Sequence, residues 1–130
     1  MATGNFVLDK GYSCAAAITK FRAVKFTGNT EEVGPITAIT DDPVGWAQFG
    51  VTLSEVAKGK GPSVRLIGIS EAEASGAIAV GSRCQLEADG RVSAAVGSSG
   101  KRLVGRCVGH AAVNAGDRIS LLLYQGLGLS

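Results

Sequence analysis

Aromatic residues are scarce in this chain: one Trp, two Tyr and four Phe in 130 residues, 5% of the whole. A surface that binds sugars by ring stacking needs several such side chains together, so glycan recognition is disfavoured. Histidine is scarcer still, since His110 is the only one, and imidazole acid–base chemistry has a single candidate. Charge is low at 18%, with 13 basic residues against 11 acidic and a net charge of +2. The two signs are interleaved, and the longest basic run is Lys101-Arg102. No stripe can track phosphates, which argues against nucleic acid as a partner. No apolar run approaches the ~18 residues of a membrane-spanning helix, so no membrane is expected either. Met1 to Lys10 lacks the apolar stretch of a secretory signal, and neither Asn5, Asn29 nor Asn114 opens a glycosylation sequon. The three cysteines, Cys14, Cys84 and Cys107, cannot all pair within one chain. They read as small buried hydrophobes of a protein made in a reducing cytoplasm.

What the chain has is glycine, 19 of 130 residues, about twice the usual share of ~7%. There is no G-X-Y period, so the composition is not collagen-like. With 45% hydrophobic residues it is not disordered either. The glycines stand with other turn formers at short intervals: Gly28-Asn29, Gly34-Pro35, Asp41-Asp42-Pro43, Gly59-Lys60-Gly61-Pro62, Ser75-Gly76, Asp89-Gly90, Ser99-Gly100 and Ala115-Gly116-Asp117. Short apolar or alternating runs lie between them, the pattern of an all-β sandwich or barrel. The clearest strands are Lys20–Thr27, Val64–Ile69 and Arg118–Tyr124, the last apolar on both faces. Ile36–Thr40 reads as a further β-branched strand, and Ser70–Ala74 as another. Gln85–Ala95 reads as a hairpin turning at Asp89-Gly90 in a type I′ turn. Thr52 and Glu55 form a capping box for one short helix ending at Gly59. A faint internal echo runs from Phe49-Gly50-Val51 through Ala57-Lys58-Gly59 to Val64, and from Val104-Gly105-Arg106 through Ala115-Gly116-Asp117 to Ile119. Two copies do not make a repeat array.

No arrangement of residues carries chemistry. His110 stands in Gly109-His110-Ala111-Ala112, where a turn is expected, without a nucleophile elbow elsewhere. Cys107-Val108-Gly109-His110 has the spacing of half a zinc knuckle, but Cys14 and Cys84 lack the paired spacing that would complete it. Gly97-Ser98-Ser99-Gly100-Lys101-Arg102 misses the first glycine and the Mg²⁺-holding hydroxyl of a phosphate-binding loop. Asp41-Asp42 has no calcium-loop series after it, and Glu71 with Glu73 reads as a solvated face. No catalytic residue, metal or cofactor is expected. A structural or binding protein is.

The order of motifs from Phe21 to Leu123 resembles the capsid cement, or head decoration, proteins of tailed bacteriophages. The resemblance is carried by Arg22-Ala23-Val24-Lys25-Phe26, Asp42-Pro43-Val44-Gly45, Phe49-Gly50-Val51, Ala57-Lys58-Gly59 and Val64-Arg65-Leu66-Ile67-Gly68. It continues through Ala79-Val80-Gly81-Ser82, Asp89-Gly90-Arg91-Val92, Val104-Gly105-Arg106-Cys107-Val108-Gly109 and the run from Ala115 to Leu123. One departure is Gly81-Ser82, where the family often has Gly-Asp. The resemblance implies a small β-barrel or β-sandwich with Gly-rich turns and one or two very short helices. It implies a homotrimer on the outer surface of an icosahedral head, clamping neighbouring major capsid protein subunits, with no cofactor and no enzymatic activity. Such a protein is made in the host cytoplasm and ends in the virion.

Residues 1–17 are accordingly expected to form an extended N-terminal arm, and residues 18–130 a single domain. Within the arm, Asn5, Phe6, Val7 and Leu8 form an apolar segment suited to adding a strand to a partner's sheet edge. A plain edge strand of the same domain is the alternative reading. Trp46, Phe49 and Tyr124 are candidate interface residues, with core packing the alternative for the first two. The competing function is a β-sandwich binding module of a phage tail or fibre.

Overall fold

The computed structural model describes residues 6–97 and 99–124. Among them the chain is mostly β, with two sheets of six and five strands and one short helix. The arrangement is sandwich-like and no closed barrel forms, so of the two β architectures expected it is the sandwich that is found. The first sheet comprises β1 (Leu8–Gly11), β2 (Ser13–Cys14), β3 (Ala23–Phe26), β4 (Glu32–Pro35), β5 (Pro43–Ala47) and β6 (Ser63–Ile67), in the order β1-β6-β5-β3-β4-β2. The second comprises β7 (Ile69–Glu73), β8 (Arg83–Leu86), β9 (Val92–Ala94), β10 (Leu103–Cys107) and β11 (Arg118–Leu123), in the order β7-β11-β10-β8-β9.

These two orders are the same order. β7 stands where β1 does, β11 where β6 does, and β10, β8 and β9 where β5, β3 and β4 do. The correspondence extends to single hydrogen bonds. An isolated antiparallel bridge joins Ile18 to Val51 in the first half and Ile78 to Ala112 in the second. The Phe21 N–H donates to the Ala47 carbonyl at 2.8 Å, as the Gly81 N–H donates to that of Cys107 at 2.7 Å. β2 lies parallel to β4, and Ala74 makes a parallel bridge to Val92. The echo in the sequence is therefore a duplication of architecture, but in another register: Val44-Gly45-Trp46 is the counterpart of Val104-Gly105-Arg106.

Alternation along the strands sends successive residues to opposite faces, and the first sheet buries both, one with its own apolar set and the other against the second half. Val24, Val33, Ala47 and Val64 are buried with Ile18 and Val51 in the first half. Ala72, Leu86, Val104, Ile119 and Leu121 form the core of the second, which Ala23, Ile36 and Trp46 of the first half also enter. Burying a Val, Leu or Ile side chain is worth about 1.5–3 kcal/mol, so these clusters supply the main cohesion. A polar seam joins the halves as well. Arg22 Nε and Nη2 donate to the two carboxylate oxygens of Glu73 at 3.0 and 3.3 Å, and the Glu73 N–H donates to the Phe21 carbonyl at 2.9 Å.

Helix α1 (Leu53–Ala57) has the expected cap, with Thr52 Oγ1 accepting from the Glu55 N–H and the Glu55 carboxylate accepting from the Thr52 N–H. Gly59 follows at φ 81°. The Gln85–Ala95 hairpin forms between β8 and β9. Its turn is longer than type I′: only Gly90, at φ 87°, is left-handed, and Asp89 instead accepts the Arg91 N–H.

Ile36–Thr40 is not a strand. The Asp41 carboxylate accepts from the Thr37 N–H at 2.9 Å, the Ala38 N–H at 3.0 Å and Lys25 Nζ at 2.9 Å, folding the segment into a loop. Those donors, the Thr37 N–H foremost, hold the Asp41 carboxyl down to about 2. One acidic side chain outweighs the β propensity of the run before it. In the stretch 1–17, Leu8–Gly11 pairs with β6 and Ser13–Cys14 with β4, and of the described residues Phe6 and Val7 precede the sheet.

All three thiols are free and buried. Burial pushes the Cys84 thiol up to about 12, and the neighbouring Cys107 adds to the shift. A thiol raised so far holds on the order of a thousandfold less thiolate than a free cysteine at pH 8. Cys84 and Cys107, both 0% exposed, should therefore resist a thiol reagent in the native protein and label fully in denaturant. Rapid native labelling of either would contradict this burial.

Candidate functional site

A concavity lies where the two sheets meet. Leu8 of β1, Phe26 of β3, Trp46 of β5 and Leu66 of β6 line it from the first sheet, and Val104 and Leu123 from the second. It is open to solvent and has a volume of about 560 Å³. Strand pairing places these residues: β6 carries Leu66 beside β5, and β10 and β11 bring Val104 and Leu123 across from the other half. Tyr12, between β1 and β2, completes an aromatic corner with Phe26, ring centroids 5.8 Å apart and edge to face.

Two residues of this lining also carry a buried donor. Trp46 is only 3% exposed, and its indole N–H has no hydrogen-bond partner. Arg102 Nε is also buried and without a partner, although Nη2 of the same guanidinium donates to the Thr40 carbonyl at 3.2 Å. Asp42 lies at 3.9 Å from Nη1. Tyr124 also lines the groove, its hydroxyl accepting from Arg106 Nε at 3.4 Å.

A family model described as phage cement protein matches residues 1–123. The chain belongs to the phage cement protein family. This is a structural, non-enzymatic family of the phage virion capsid. No curated protein matches the sequence. Among solved structures, the head fiber gp8.5 N base of bacteriophage phi29 is similar in fold, with a TM-score of 0.60 at 15% identity over 92% of this chain and 95% of that one.

For this cement protein, the residues singled out in the sequence fall into distinct places. Asn5 lies outside the described residues. Phe6 is 93% exposed, and Val7 and Leu8 are exposed beside it. Trp46 and Phe49 separate: the first is buried on β5 by strand alternation, while the second is 62% exposed in the connection to β6. Tyr124 is half-buried at the groove. The structure thus brings Leu8, Trp46 and Tyr124 together and leaves Phe6 and Phe49 pointing to solvent. Phe26 and Arg102 were not recognisable from the sequence, because their role depends on strands that meet only in the fold.

The groups with chemical potential are otherwise occupied. Glu73 holds Arg22, Asp41 organises its loop, and Glu71 lies 3.9 Å from Arg118. His110 is exposed in a loop, its carbonyl accepting from the Cys107 thiol. Among the described residues no three His, Cys, Asp or Glu side chains converge as metal ligands would.

Proposed function

We propose that this cement protein binds the outer surface of an icosahedral phage head as a homotrimer and clamps neighbouring major capsid protein subunits. The observation that carries the reading is the family match across residues 1–123. The fold supports it. The connections from β5 to β6 and from β10 to β11 are counterparts, and each exposes two apolar residues, Phe49 and Leu53 in one, Val108 and Val113 in the other. The arm residues Asn5, Phe6, Val7 and Leu8 add a further contact segment. A trimer multiplies such modest contacts, and linked attachment points raise overall binding far above that of any single one.

The test is to add purified protein to heads that lack it and to image the particles. Density at three-fold or quasi-three-fold axes, with a raised melting temperature of the heads, is expected. Particles that remain bare at saturating protein would overturn the reading. The competing reading, a base module of a fibre, gains some support from the likeness to the phi29 head fiber base. It would appear in the same images as attachment without stabilisation of the shell.

A further inference from the structure

We propose that the outer face of the second sheet docks an acidic segment of a partner protein, through Arg83 on β8 and Arg106 on β10. The inference deepens the reading above and rests on it only for identifying that partner as the capsid protein.

Arg83 and Arg106 stand directly opposite each other in the antiparallel pairing of β8 with β10, and both are exposed. Residues paired in this way share a face of the sheet, and like charges in that relation are destabilising. Nothing in the chain offsets the repulsion. All eleven aspartates and glutamates lie among the described residues, and each has a lysine, an arginine or another hydrogen-bond donor within 4.0 Å. None of those partners is Arg83 or Arg106. Residues 1–5, 98 and 125–130 contain no aspartate or glutamate, so no acidic side chain elsewhere in the sequence answers the pair. Among the described residues the Arg83 side chain has no hydrogen-bond or ion-pair partner. Arg106 has two neutral ones, donating from Nη1 to the Gly81 carbonyl at 3.1 Å and from Nε to the Tyr124 hydroxyl at 3.4 Å. They hold the guanidinium in place without cancelling its charge.

The first half supplies the contrast. Its corresponding row runs through Asp9, Arg65, Trp46 and Ala23 on β1, β6, β5 and β3. There the single arginine faces an aspartate of its own chain, Nε to Oδ1 at 2.8 Å, and Trp46 and Ala23 are buried in the core of the second half. In the second half the row reads Ile69, Leu122, Arg106 and Arg83, and the last three are exposed. Two arginines beside an exposed leucine fit a segment that presents neighbouring carboxylates and an apolar side chain. The planar guanidinium holds a carboxylate through two parallel hydrogen bonds, which gives such a contact direction as well as attraction. Two such groups are too few for a nucleic acid, whose binding sums many phosphate contacts. A second copy of the chain would have to break a pairing of its own to supply a carboxylate.

Arg83→Glu puts a carboxylate opposite Arg106 and separates stability from docking. In the free protein repulsion becomes attraction, so the melting temperature should rise by about 1–3 °C. Titration of the parent protein with an octaglutamate peptide, followed by NMR, should move the resonances of Arg83, Arg106 and Leu122. Arg83→Glu should lose these shifts. Lys58→Glu, the same charge change at an exposed position elsewhere, should keep them. On heads that lack the protein, Arg83→Glu should attach about tenfold more weakly, and attachment of the parent should weaken as NaCl is raised. Peptide shifts centred away from the row, or retained in Arg83→Glu, would overturn the proposal. So would an Arg83→Glu protein that melts below the parent, an octanucleotide that binds the row more tightly than the peptide, or self-association that Arg83→Glu abolishes. Heads left bare by a parent protein that binds the peptide refute the cement reading alone. Heads that take up the parent and Arg83→Glu equally refute this inference alone.

Discussion

Gly45→Ala and Gly105→Ala should each cost about 3 kcal/mol of stability, which for a domain of this size lowers the melting temperature by roughly 10 °C. A methyl on Gly45 would overlap the carbonyl oxygen of Arg65 on β6, and one on Gly105 would overlap that of Leu122 on β11. Both would also press on a core side chain, Val64 in the first case and Leu121 in the second. A flexible side-chain tip could move aside, but these oxygens belong to the paired strand. The neighbouring strand must shift, and the core packed behind it loses contacts. Neither glycine needs a positive φ, so the penalty comes from proximity and not from backbone conformation. Gly76 is the control: its Cβ would meet nothing within 4 Å, and Gly76→Ala should change stability by less than about 0.5 kcal/mol. Denaturant titration of the three variants decides the point. A Gly45→Ala protein as stable as Gly76→Ala would mean that the strands are not so closely set.

The same pair shows what the sequence could reveal. Local signals survive into the structure: the Thr52–Glu55 capping box, the Gln85–Ala95 hairpin and the turn glycines all act within a few residues, where spacing alone is informative. The duplication was only faintly legible, because counterpart positions diverge in chemistry. Trp46 corresponds to Arg106, and Val64 to Leu121; what persists at Gly45 and Gly105 is a steric demand of the backbone. Ile36–Thr40 misled for a related reason. Its β-branched run is a propensity, whereas the Asp41 carboxylate accepts four hydrogen bonds, three of them from Thr37 and Ala38 in a loop. The groove was beyond sequence reasoning altogether. Leu8, Trp46, Arg102 and Tyr124 are neighbours only through the order of strands in two sheets.

The two cores meet at the junction between the sheets, so that junction matters as much as either core. Phe21 is central to it. The residue has φ 61°, in the left-handed region, and its counterpart in the second half is Gly81 at φ 92°. Glycine is the low-strain choice there, yet the first half keeps phenylalanine. The reason lies in the ring, which is 7% exposed with the Arg118 guanidinium 4.6 Å from its centroid. Removing a buried phenylalanine ring costs about 3–5 kcal/mol, and the cation–π contact adds about 0.5–1 kcal/mol. The left-handed backbone costs a non-glycine residue only about 1–2 kcal/mol, so packing outweighs strain. Phe21→Ala should therefore lose the ring and keep the strain, falling by about 3–5 kcal/mol. Phe21→Gly loses the ring but relieves the strain, and should be the more stable of the two by about 1 kcal/mol, although it removes more atoms. Urea titration of both variants checks the ordering. An alanine variant equal to or better than the glycine variant would show that the left-handed turn is not enforced. Either variant matching the parent would show that the ring does not join the sheets.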